Sequence, residues 1–272
     1  MEQKQQYKKK VKIELYNDHH ENAKRYQIPK AQLIIGDLPY NLGNKAYGSS
    51  PEWYVGGENS NGESDKANKS FFDTDENFNI YNYFRFCSRL LKPEPKEKGK
   101  APCMILFCSW QQLNEVTEYA RQFGFNHSYP LVFIKQQSSQ VLKANMKIVG
   151  ACEYALVLYR DKLPKFNNGR KYDENGKCIR GSGKMIKNWF YWEKDKDVPK
   201  IHPTQKPVNL LKQLIEIFTD EGDVVIDPVA GSGSTLRACA ELNRSCYGFE
   251  IKKDFYKLAK EKMLNNYSEQ LF

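Results

Sequence analysis

The chain has 272 residues, of which 40% are apolar, enough to bury a sizeable core in one large domain or in one domain with an inserted lobe. Forty-two Lys and Arg residues face 33 Asp and Glu residues, giving a formal net charge of +9, and this balance favours a phosphate-rich partner and excludes a disordered or acidic chain. No apolar stretch approaches the roughly 20 residues that cross a bilayer, and the charged, Gln-rich N-terminus does not resemble a secretory signal. We therefore expect a cytoplasmic protein.

The cysteines and histidines show no recognisable ligand spacing. The seven cysteines never form a C-x-x-C pair, and apart from the neighbours His19 and His20 the four histidines are scattered. Zinc and redox sites built on cysteine depend on such spacings. We therefore expect reduced, mostly packed thiols and no metal site.

Short β-rich runs alternate with helical stretches along the chain. The predicted strands are Val11 to Tyr16, Gln32 to Gly36, Pro102 to Cys108, Tyr129 to Ile134, Glu153 to Tyr159, Val224 to Ile226 and Cys246 to Phe249. The predicted helices are Tyr81 to Leu91, Trp110 to Phe123, Val208 to Phe218, Ser234 to Leu242 and Asp254 to Asn265. This alternation predicts an α/β fold in which helices cover the faces of a seven-stranded sheet.

Two segments interrupt the alternation. Asn41 to Asn79 is rich in Gly, Ser, Asn and Asp, which is typical of a long loop over a site. Lys162 to Lys187 carries eight basic residues against two acids and is followed by the aromatic cluster Trp189 to Trp192. We interpret it as an insertion that contacts a polyanion, the alternative being a solvated surface loop with an aromatic anchor.

Near the C-terminus, a predicted strand leads into a glycine-rich turn and then into a helix. The turn reads Asp227-Pro228-Val229-Ala230-Gly231-Ser232-Gly233-Ser234. Bare backbone at the glycines lets a ligand approach closely, because a Cβ would collide with it or forbid the turn. Glu250, at the end of the next predicted strand, is placed to accept hydrogen bonds from a ribose diol. NAD is the second choice of ligand, because Leu236 occupies the third glycine position of G-x-G-x-x-G.

A second candidate site follows the predicted strand that ends at Gly36. There the sequence reads Asp37-Leu38-Pro39-Tyr40, at the edge where open α/β sheets bind ligands. The exocyclic amine of a nucleobase is a poor nucleophile because its lone pair is delocalised into the ring. If Asp37 and the carbonyl oxygen of Leu38 each accept one amine proton, the lone pair can point at an electrophile. Tyr40 would stack on an extruded base and Pro39 would fix the separation of the acceptors, although the same residues also suit an ordinary turn.

Together these motifs resemble the DNA amino-methyltransferases that use S-adenosylmethionine. Asp37 to Tyr40 is similar to the D-P-P-Y motif of that family, Asp227 to Gly233 to its D-P-F-A-G-S-G motif, and His202 to Pro207 to its H-P-T-x-K-P segment. The catalytic motif comes first and the cofactor loop last, an order that resembles the permuted β group. Leu38 replaces the first proline of the tetrad, where only a backbone carbonyl is needed, and Val229 replaces a phenylalanine that contacts the cofactor.

The resemblance implies S-adenosylmethionine as cofactor and assigns roles to particular residues. Its methionine end would lie against Gly231 and Gly233, with Thr204 and Lys206 near its carboxylate, Glu250 on its ribose and Asp18 by its adenine. The expected cofactor-binding set is Asp18, Thr204, Lys206, Asp227, Val229, Gly231, Gly233, Ser234 and Glu250. The expected catalytic set is Asp37, Leu38, Pro39 and Tyr40, and the expected DNA-binding set is Asn41, Lys171, Arg180, Lys184 and Lys187.

The resemblance also implies a Rossmann-like methyltransferase sheet, mostly parallel with one antiparallel strand, plus a small DNA-recognition insertion. Residues 1–160 would form the catalytic part, 161–200 the basic target-recognition insertion and 201–272 the cofactor-binding part of one domain. The sheet needs a strand beside the one that ends at Phe249, and Val11 to Tyr16 can supply it from the other end of the chain. Glu153 to Tyr159 is expected to be the antiparallel strand.

The expected substrate is double-stranded DNA, with methyl transfer to adenine N6 after base flipping. Adenine is favoured because many cytosine N4 enzymes of the family have Ser where Asp37 stands. N4-cytosine methylation, protein-glutamine methylation and a DNA-binding module without catalysis remain as alternatives. The sequence leaves open a homodimer, a cognate restriction endonuclease as partner, and a bacterial or a phage origin.

Overall fold

The fold was obtained as a computed structural model, which describes residues 11–39, 78–136, 138, 141–143, 147–202 and 204–265. Its main feature is an eight-stranded sheet in the spatial order β1-β10-β9-β2-β3-β7-β4-β8. The strands are β1 (Ile13–Tyr16), β2 (Leu33–Asp37), β3 (Cys103–Cys108), β4 (His127–Lys135), β7 (Cys152–Tyr159), β8 (Trp189–Trp192), β9 (Val224–Asp227) and β10 (Ser245–Phe249). A separate pair, β5 (Val141–Lys143) and β6 (Ile148–Val149), is antiparallel.

The expected strand directions are confirmed, but the expected number of strands is wrong. Of the eight strands, only β7 runs antiparallel to its neighbours, and it spans the predicted Glu153 to Tyr159. The additional strand is β8, which the sequence placed within the insertion as an aromatic cluster and which pairs parallel with the end of β4. Phe190 and Trp192 both pack on the buried ring of Phe133, as expected for aromatic residues on a half-buried sheet edge.

Helices cover both faces of the sheet. They are α1 (Ile80–Leu90), α2 (Leu113–Gln122), α3 (Val208–Phe218), α4 (Ser234–Glu241) and α5 (Lys253–Leu258), the last continuing as a π-helical turn, Ala259–Met263. Apolar side chains of α3 and α4 share one core with Leu33 and Ile35, whereas those of α1 and α2 share the other with Ile34. Alternate residues of β2 therefore enter opposite cores, which makes the strand a continuous apolar run.

The two ends of the chain meet in the sheet. β1 pairs in parallel with β10, with Ile13 opposite Cys246 and Tyr16 opposite Phe249. This pairing confirms the prediction that the N-terminal strand completes the sheet beside the strand before Glu250. No helix within the described ranges is long and apolar enough to span a membrane.

Strands β2 and β9 are parallel neighbours, with Leu33 opposite Val225 and Ile34 opposite Ile226. Parallel neighbours end at the same edge of a sheet, so Asp37 and Asp227, the last residues of these strands, lie at one edge. The Asp37 motif and the glycine turn, 190 residues apart in sequence, therefore start side by side.

Candidate active site

The backbone after β2 is held by the neighbouring strand and by a glutamine. The amide of Leu38 donates to the carbonyl of Phe107 at 3.0 Å, and the Leu38 side chain is buried in the core. The side-chain amide of Gln112 donates to the carbonyl of Pro39 at 3.1 Å. These contacts fix the turn that presents Asp37. Tyr40 and Asn41, the next residues of the predicted site, lie outside the described residues.

Gln112 is a contributor that the motif analysis missed. It forms a capping box with Ser109 at the start of the short 3-10 helix Trp110–Gln112, which fixes its side chain against the Asp37 turn. The spacing Ser109-x-x-Gln112 is a sequence signal for such a cap. It could have identified the helix start, although not the contact to Pro39.

The Asp37 carboxylate is joined to a buried lysine. Lys206 Nζ lies 2.7 Å from Asp37 Oδ2 and 3.3 Å from Glu153 Oε2, and Glu153 also pairs with Lys135. Burial raises the pKa of Asp37, while the charge of Lys206 acts against that rise. The sequence predicted Lys206 at the cofactor carboxylate, and the structure places its ammonium group on the Asp37 carboxylate.

Two other residues of this segment, His202 and Thr204, contact each other, and His202 also contacts the helix α5. The hydroxyl of Thr204 lies 3.1 Å from His202 Nδ1, and the His202 ring packs on Phe255 with centroids 4.4 Å apart. Pro203 lies outside the described residues. Burial lowers the pKa of His202 to about 4, so its ring is neutral at pH 7.

The two glycines of the turn after β9 have different surroundings. Both have positive φ, 50° at Gly231 and 76° at Gly233, which favours glycine. A Cβ on Gly231 would point into open space, but one on Gly233 would lie 3.4 Å from the Cβ of Ala259. Gly231 therefore leaves room for a ligand, whereas Gly233 packs the start of α4 against the C-terminal helix.

Polar side chains stabilise the same turn from inside. Asp227 is buried and accepts the amide of Val229 at 3.1 Å; burial raises its pKa to about 7. The hydroxyls of Ser232 and Ser234 are 2.8 Å apart and buried. Asp227 and Ser234 thus shape the turn, and Val229 contributes the amide that closes it.

Close packing of the turn depends on a glycine that the motif analysis did not single out. A Cβ on Gly248, in β10, would lie 2.7 Å from Leu236 Cδ1 and 3.1 Å from the Cβ of Ala230. In the dinucleotide motif, a third glycine on the helix permits this approach. Here Leu236 occupies that helix position and the glycine is on the facing strand.

Glu250 and Asp18 differ in how much of each carboxylate is already occupied. Glu250 Oε1 accepts the amide of Lys252 at 2.7 Å, the amide of Gly231 also donates to this carboxylate, and burial raises its pKa. Asp18 accepts Asn22 Nδ2, the His19 amide and the Tyr26 hydroxyl, each at 2.7 Å. Donation chiefly from the Asn22 and Tyr26 side chains lowers the pKa of Asp18 to about 2. Asp18 therefore organises the 3-10 helix after β1.

The predicted DNA-binding cations lie away from Asp37. β7 runs antiparallel and ends at Tyr159, at the edge where β3 begins, and Asn167 then bonds to the carbonyls of Ile217 and Thr219 at the end of α3. The segment is therefore anchored at the end of the sheet where the parallel strands begin, opposite the end where Asp37 lies. Lys171, Arg180 and Lys184 follow in an exposed segment, on either side of a short turn that the bridge between Tyr172 and Cys178 closes. Lys187 lies over the ring of Trp189.

The arrangement suits a nucleoside-containing ligand. Gly231 leaves an open cradle, and the Glu250 carboxylate beside it is an acceptor for ribose hydroxyls. Among the residues that the structure describes, no group of three or more His, Cys, Asp or Glu side chains could hold a metal ion.

Comparison with known proteins gives the family. The model of a DNA methylase family, named for N6 and N4 methyltransferases, matches residues 31–261. The chain is 26% identical to the type II methyltransferase M.HpaI of Haemophilus parainfluenzae over 85% of this chain and 67% of that protein. It is 22% identical to the DNA adenine methyltransferase YhdJ of Escherichia coli over 91% of this chain and 81% of that protein.

A solved structure shows the same fold. The PvuII DNA methyltransferase, described as cytosine-N4-specific, superposes with a TM-score of 0.63, covering 92% of this chain and 86% of that chain at 14% identity. The family match spans the turn after β2 that contains Asp37, the glycine turn after β9 and the strands between them. The chain therefore belongs to the N6/N4 DNA methylase family, whose methyl donor is S-adenosylmethionine.

Proposed function

We propose that the protein transfers a methyl group from S-adenosylmethionine to the exocyclic N6 of adenine in double-stranded DNA. The observation that carries this proposal is the difference between the surroundings of the two carboxylate oxygens of Asp37. One oxygen, Oδ2, is held by Lys206, while Oδ1 is buried and has no hydrogen-bond partner among the described residues. A buried acceptor without a partner is costly, and an amine proton of a flipped base would satisfy it.

The reaction follows from the acceptors at this edge. When bound, S-adenosylmethionine would supply an electrophilic methyl group, whose bond to sulfur breaks on transfer with S-adenosylhomocysteine as the leaving group. Asp37 and the carbonyl oxygen of Leu38 accept the two amine protons, which frees the nitrogen lone pair for attack. After transfer the nitrogen carries an excess proton, which passes to Asp37 or to water. Tyr40 is proposed to stack on the extruded base and Pro39 to hold the acceptors at a fixed separation.

The cofactor is proposed to bind where the glycine turn meets the end of β10. Gly231 offers bare backbone, Glu250 takes the ribose hydroxyls, and Thr204 lies on the segment proposed to face the carboxylate. Asp227, Val229, Gly233 and Ser234 act by shaping the turn. Asp18, whose carboxylate already accepts three short hydrogen bonds, is proposed to place the 3-10 helix beside the adenine.

Adenine is proposed over cytosine because the tetrad begins with Asp37. Many N4-cytosine enzymes of the family have Ser at this position, whose hydroxyl can both donate and accept, whereas an ionised carboxylate only accepts. The comparisons include a relative named as an adenine methyltransferase and a structure named as cytosine-N4-specific. N4-cytosine methylation is therefore the second candidate.

We also propose the domain organisation expected from the sequence. Residues 1–160 and 201–272 form the methyltransferase domain, and 161–200 is a target-recognition insertion. Its excess of positive charge supports DNA contact. Because its base lies at the sheet edge opposite Asp37, Lys171, Arg180 and Lys184 would contact phosphates away from the flipped base.

Mass spectrometry of nucleosides from DNA treated with the enzyme and S-adenosylmethionine tests the proposal. We expect N6-methyl-2′-deoxyadenosine in the DNA digest and no methyl transfer to glutamine-containing peptides. Asp37→Ala should keep cofactor binding by calorimetry but lower transfer by several orders of magnitude, because the base loses its charged acceptor. N4-methylcytosine would assign the second candidate, and near-normal turnover of Asp37→Ala on DNA would exclude the assigned role of Asp37.

A further inference from the structure

We propose that Lys206 and Glu153 form a positioning pair that sets the orientation and charge of Asp37 for methyl transfer. This inference deepens the proposed function and rests on it. The methyltransferase resemblance places Lys206 at the cofactor instead, and Glu153 is not part of the three motifs that carry the resemblance.

The geometry joins three separate parts of the chain at one ammonium group. Lys206 lies just before α3, Asp37 ends β2 and Glu153 is near the start of β7. Lys206 Nζ is 2.7 Å from Asp37 Oδ2 and 3.3 Å from Glu153 Oε2. Because β7 is antiparallel, its first residues reach the edge at which the parallel strands end, which puts Glu153 beside Asp37.

Aromatic rings restrict where the ammonium group can go. Lys206 Nζ lies 4.8 Å from the ring centroid of Phe107 and 5.4 Å from that of Trp192, and the whole residue is only 8% exposed. Cations over aromatic faces are attracted by the ring quadrupole. Trp192 belongs to β8, so the edge strand that the sequence did not predict contributes to the same environment.

In this environment the two carboxylate oxygens of Asp37 have different roles. Oδ2 is occupied by Lys206, so rotation of the carboxylate would break a short, buried, charge-assisted contact. Oδ1 is left as the acceptor for the amine proton. Glu153 balances the charge of Lys206 and holds it at a second point, while Lys135 pairs with the other oxygen of Glu153.

The charge state of Asp37 depends on groups from every element around it. They are Lys206 before α3, Glu153 on β7, Lys135 on β4, Asp227 on β9, Tyr83 on α1 and Cys108 on β3. Burial and Glu153 favour the protonated carboxyl, whereas Lys206 and Lys135 favour the ionised form. A protonated Asp37 loses acceptor capacity, so the transfer rate should fall at acid pH.

The test is the pH profile of single-turnover methylation, in which enzyme preloaded with S-adenosylmethionine is mixed with DNA. The acid limb is the part of the profile in which the rate falls as the pH is lowered. In Lys206→Met we expect it to lie about one pH unit or more higher than in the wild type, because an opposite charge near a carboxyl lowers its pKa by 1–3 units and this variant lacks that charge. The rate on the plateau should fall by about 100-fold, as for a misplaced reacting group. Glu153→Gln removes a negative charge and should move the acid limb to lower pH.

Controls separate positioning from folding and from cofactor binding. Lys206→Arg keeps the charge, so its acid limb should stay near that of the wild type even if its rate falls. Lys212→Met removes a half-buried lysine that pairs with Glu241 between α3 and α4, and it should leave the profile unchanged. Calorimetry should give a cofactor dissociation constant for Lys206→Met within about threefold of the wild-type value, since the ammonium group is assigned to Asp37 and each tenfold change in affinity would need about 1.4 kcal/mol.

The outcomes separate this inference from the proposed function. A wild-type enzyme that does not methylate DNA contradicts the proposed function itself. With an active wild type, an unchanged acid limb in Lys206→Met, or a large loss of cofactor affinity in that variant, overturns the positioning pair. If Lys206→Met does not fold, the opposite shift in Glu153→Gln and the unshifted limb in Lys206→Arg decide the question.

Discussion

The amide of Glu250 donates to the carbonyl of Tyr16 at 3.0 Å, although the two residues are 234 positions apart in the sequence. This bond continues the parallel pairing of β1 with β10 by one residue and fixes the backbone from which the Glu250 carboxylate projects. Asn17 adds a second link, because its side-chain amide donates to the carbonyl of Glu250 at 2.9 Å. The two chain termini therefore build one wall of the proposed cofactor site together.

Glu250→Gln should weaken S-adenosylmethionine binding by about 10-fold to 100-fold, because hydrogen bonds to a charged group contribute about 1.5–3 kcal/mol. Calorimetric titration with the cofactor measures the change. Glu221→Gln, on an exposed turn before β9, provides the matched control and should bind normally. Equal affinities for Glu250→Gln and the wild type would show that this carboxylate does not contact the cofactor.

Several features of the fold follow from local sequence, because they depend on periodicity and turn chemistry. The strands that end at Asp37 and Asp227 are short apolar runs bounded by Pro and Gly, and both strands occur where the sequence predicts them. β8 was missed because Trp189 to Trp192 follows a long charged segment and pairs with β4, which lies more than 50 residues earlier. Strand pairing of that kind has no local signal.

The sequence predicts which motifs form the candidate site, but it does not predict the contacts between their residues. Asp37 and Gly231 are marked by residue type and position, whereas the ion pair between Lys206 and Asp37 joins residues 169 positions apart. Gly248 was missed for a related reason. Its role depends on Leu236 of the facing helix, and a glycine within a strand has several explanations until its neighbour is known.

A substitution at Gly36 tests how tightly the turn that presents Asp37 is packed. A Cβ at this position would collide with the hydroxyl oxygen of Tyr83, while the ring carbon that carries the hydroxyl would be 3.4 Å away. Gly36→Ala should therefore lower the free energy of unfolding by about 1–3 kcal/mol, the usual cost of overpacking a core. Because Gly36 precedes Asp37, methylation should fall as well.

Tyr83→Phe supplies the rescue for Gly36→Ala. It removes the oxygen that collides, so the double variant should recover most of the lost stability and activity, and urea denaturation of the four proteins in the cycle measures the coupling. Tyr83→Phe alone is the reference for loss of the hydroxyl. Strict additivity of the two single changes would contradict the proposed contact.

His20 should make stability depend on pH. Burial lowers its pKa to about 3, against 6.5 for the exposed side chain, so at intermediate pH the unfolded chain binds a proton that the folded chain does not. The contribution is fully present above pH 6.5 and is lost as the pH falls towards 3. At full effect this shift corresponds to at most about 5 kcal/mol.

His20→Phe should flatten the loss of stability between pH 7 and pH 4, since the ring packs against Phe86 and Tyr83 and a phenyl group can take its place. Urea denaturation at several pH values gives the slope. His19→Phe is the matched control, because His19 is about half exposed and should leave the slope nearly unchanged. Parallel curves for His20→Phe and the wild type would mean that His20 binds a proton equally well in the folded and the unfolded chain.

The basic loop offers the sharpest test of the proposed DNA contact, because it is far from Asp37. Lys171→Ala combined with Arg180→Ala should raise the DNA dissociation constant and lower the slope of log affinity against log salt by about 1.8, which is about 0.9 for each phosphate contact. Cofactor affinity should not change. Lys24→Ala with Lys30→Ala, two exposed lysines between β1 and β2, makes the same change in net charge and should have a smaller effect on the slope. Identical salt slopes for the two double variants would show that the loop affects DNA only through total charge, and that target recognition belongs to another part of the chain.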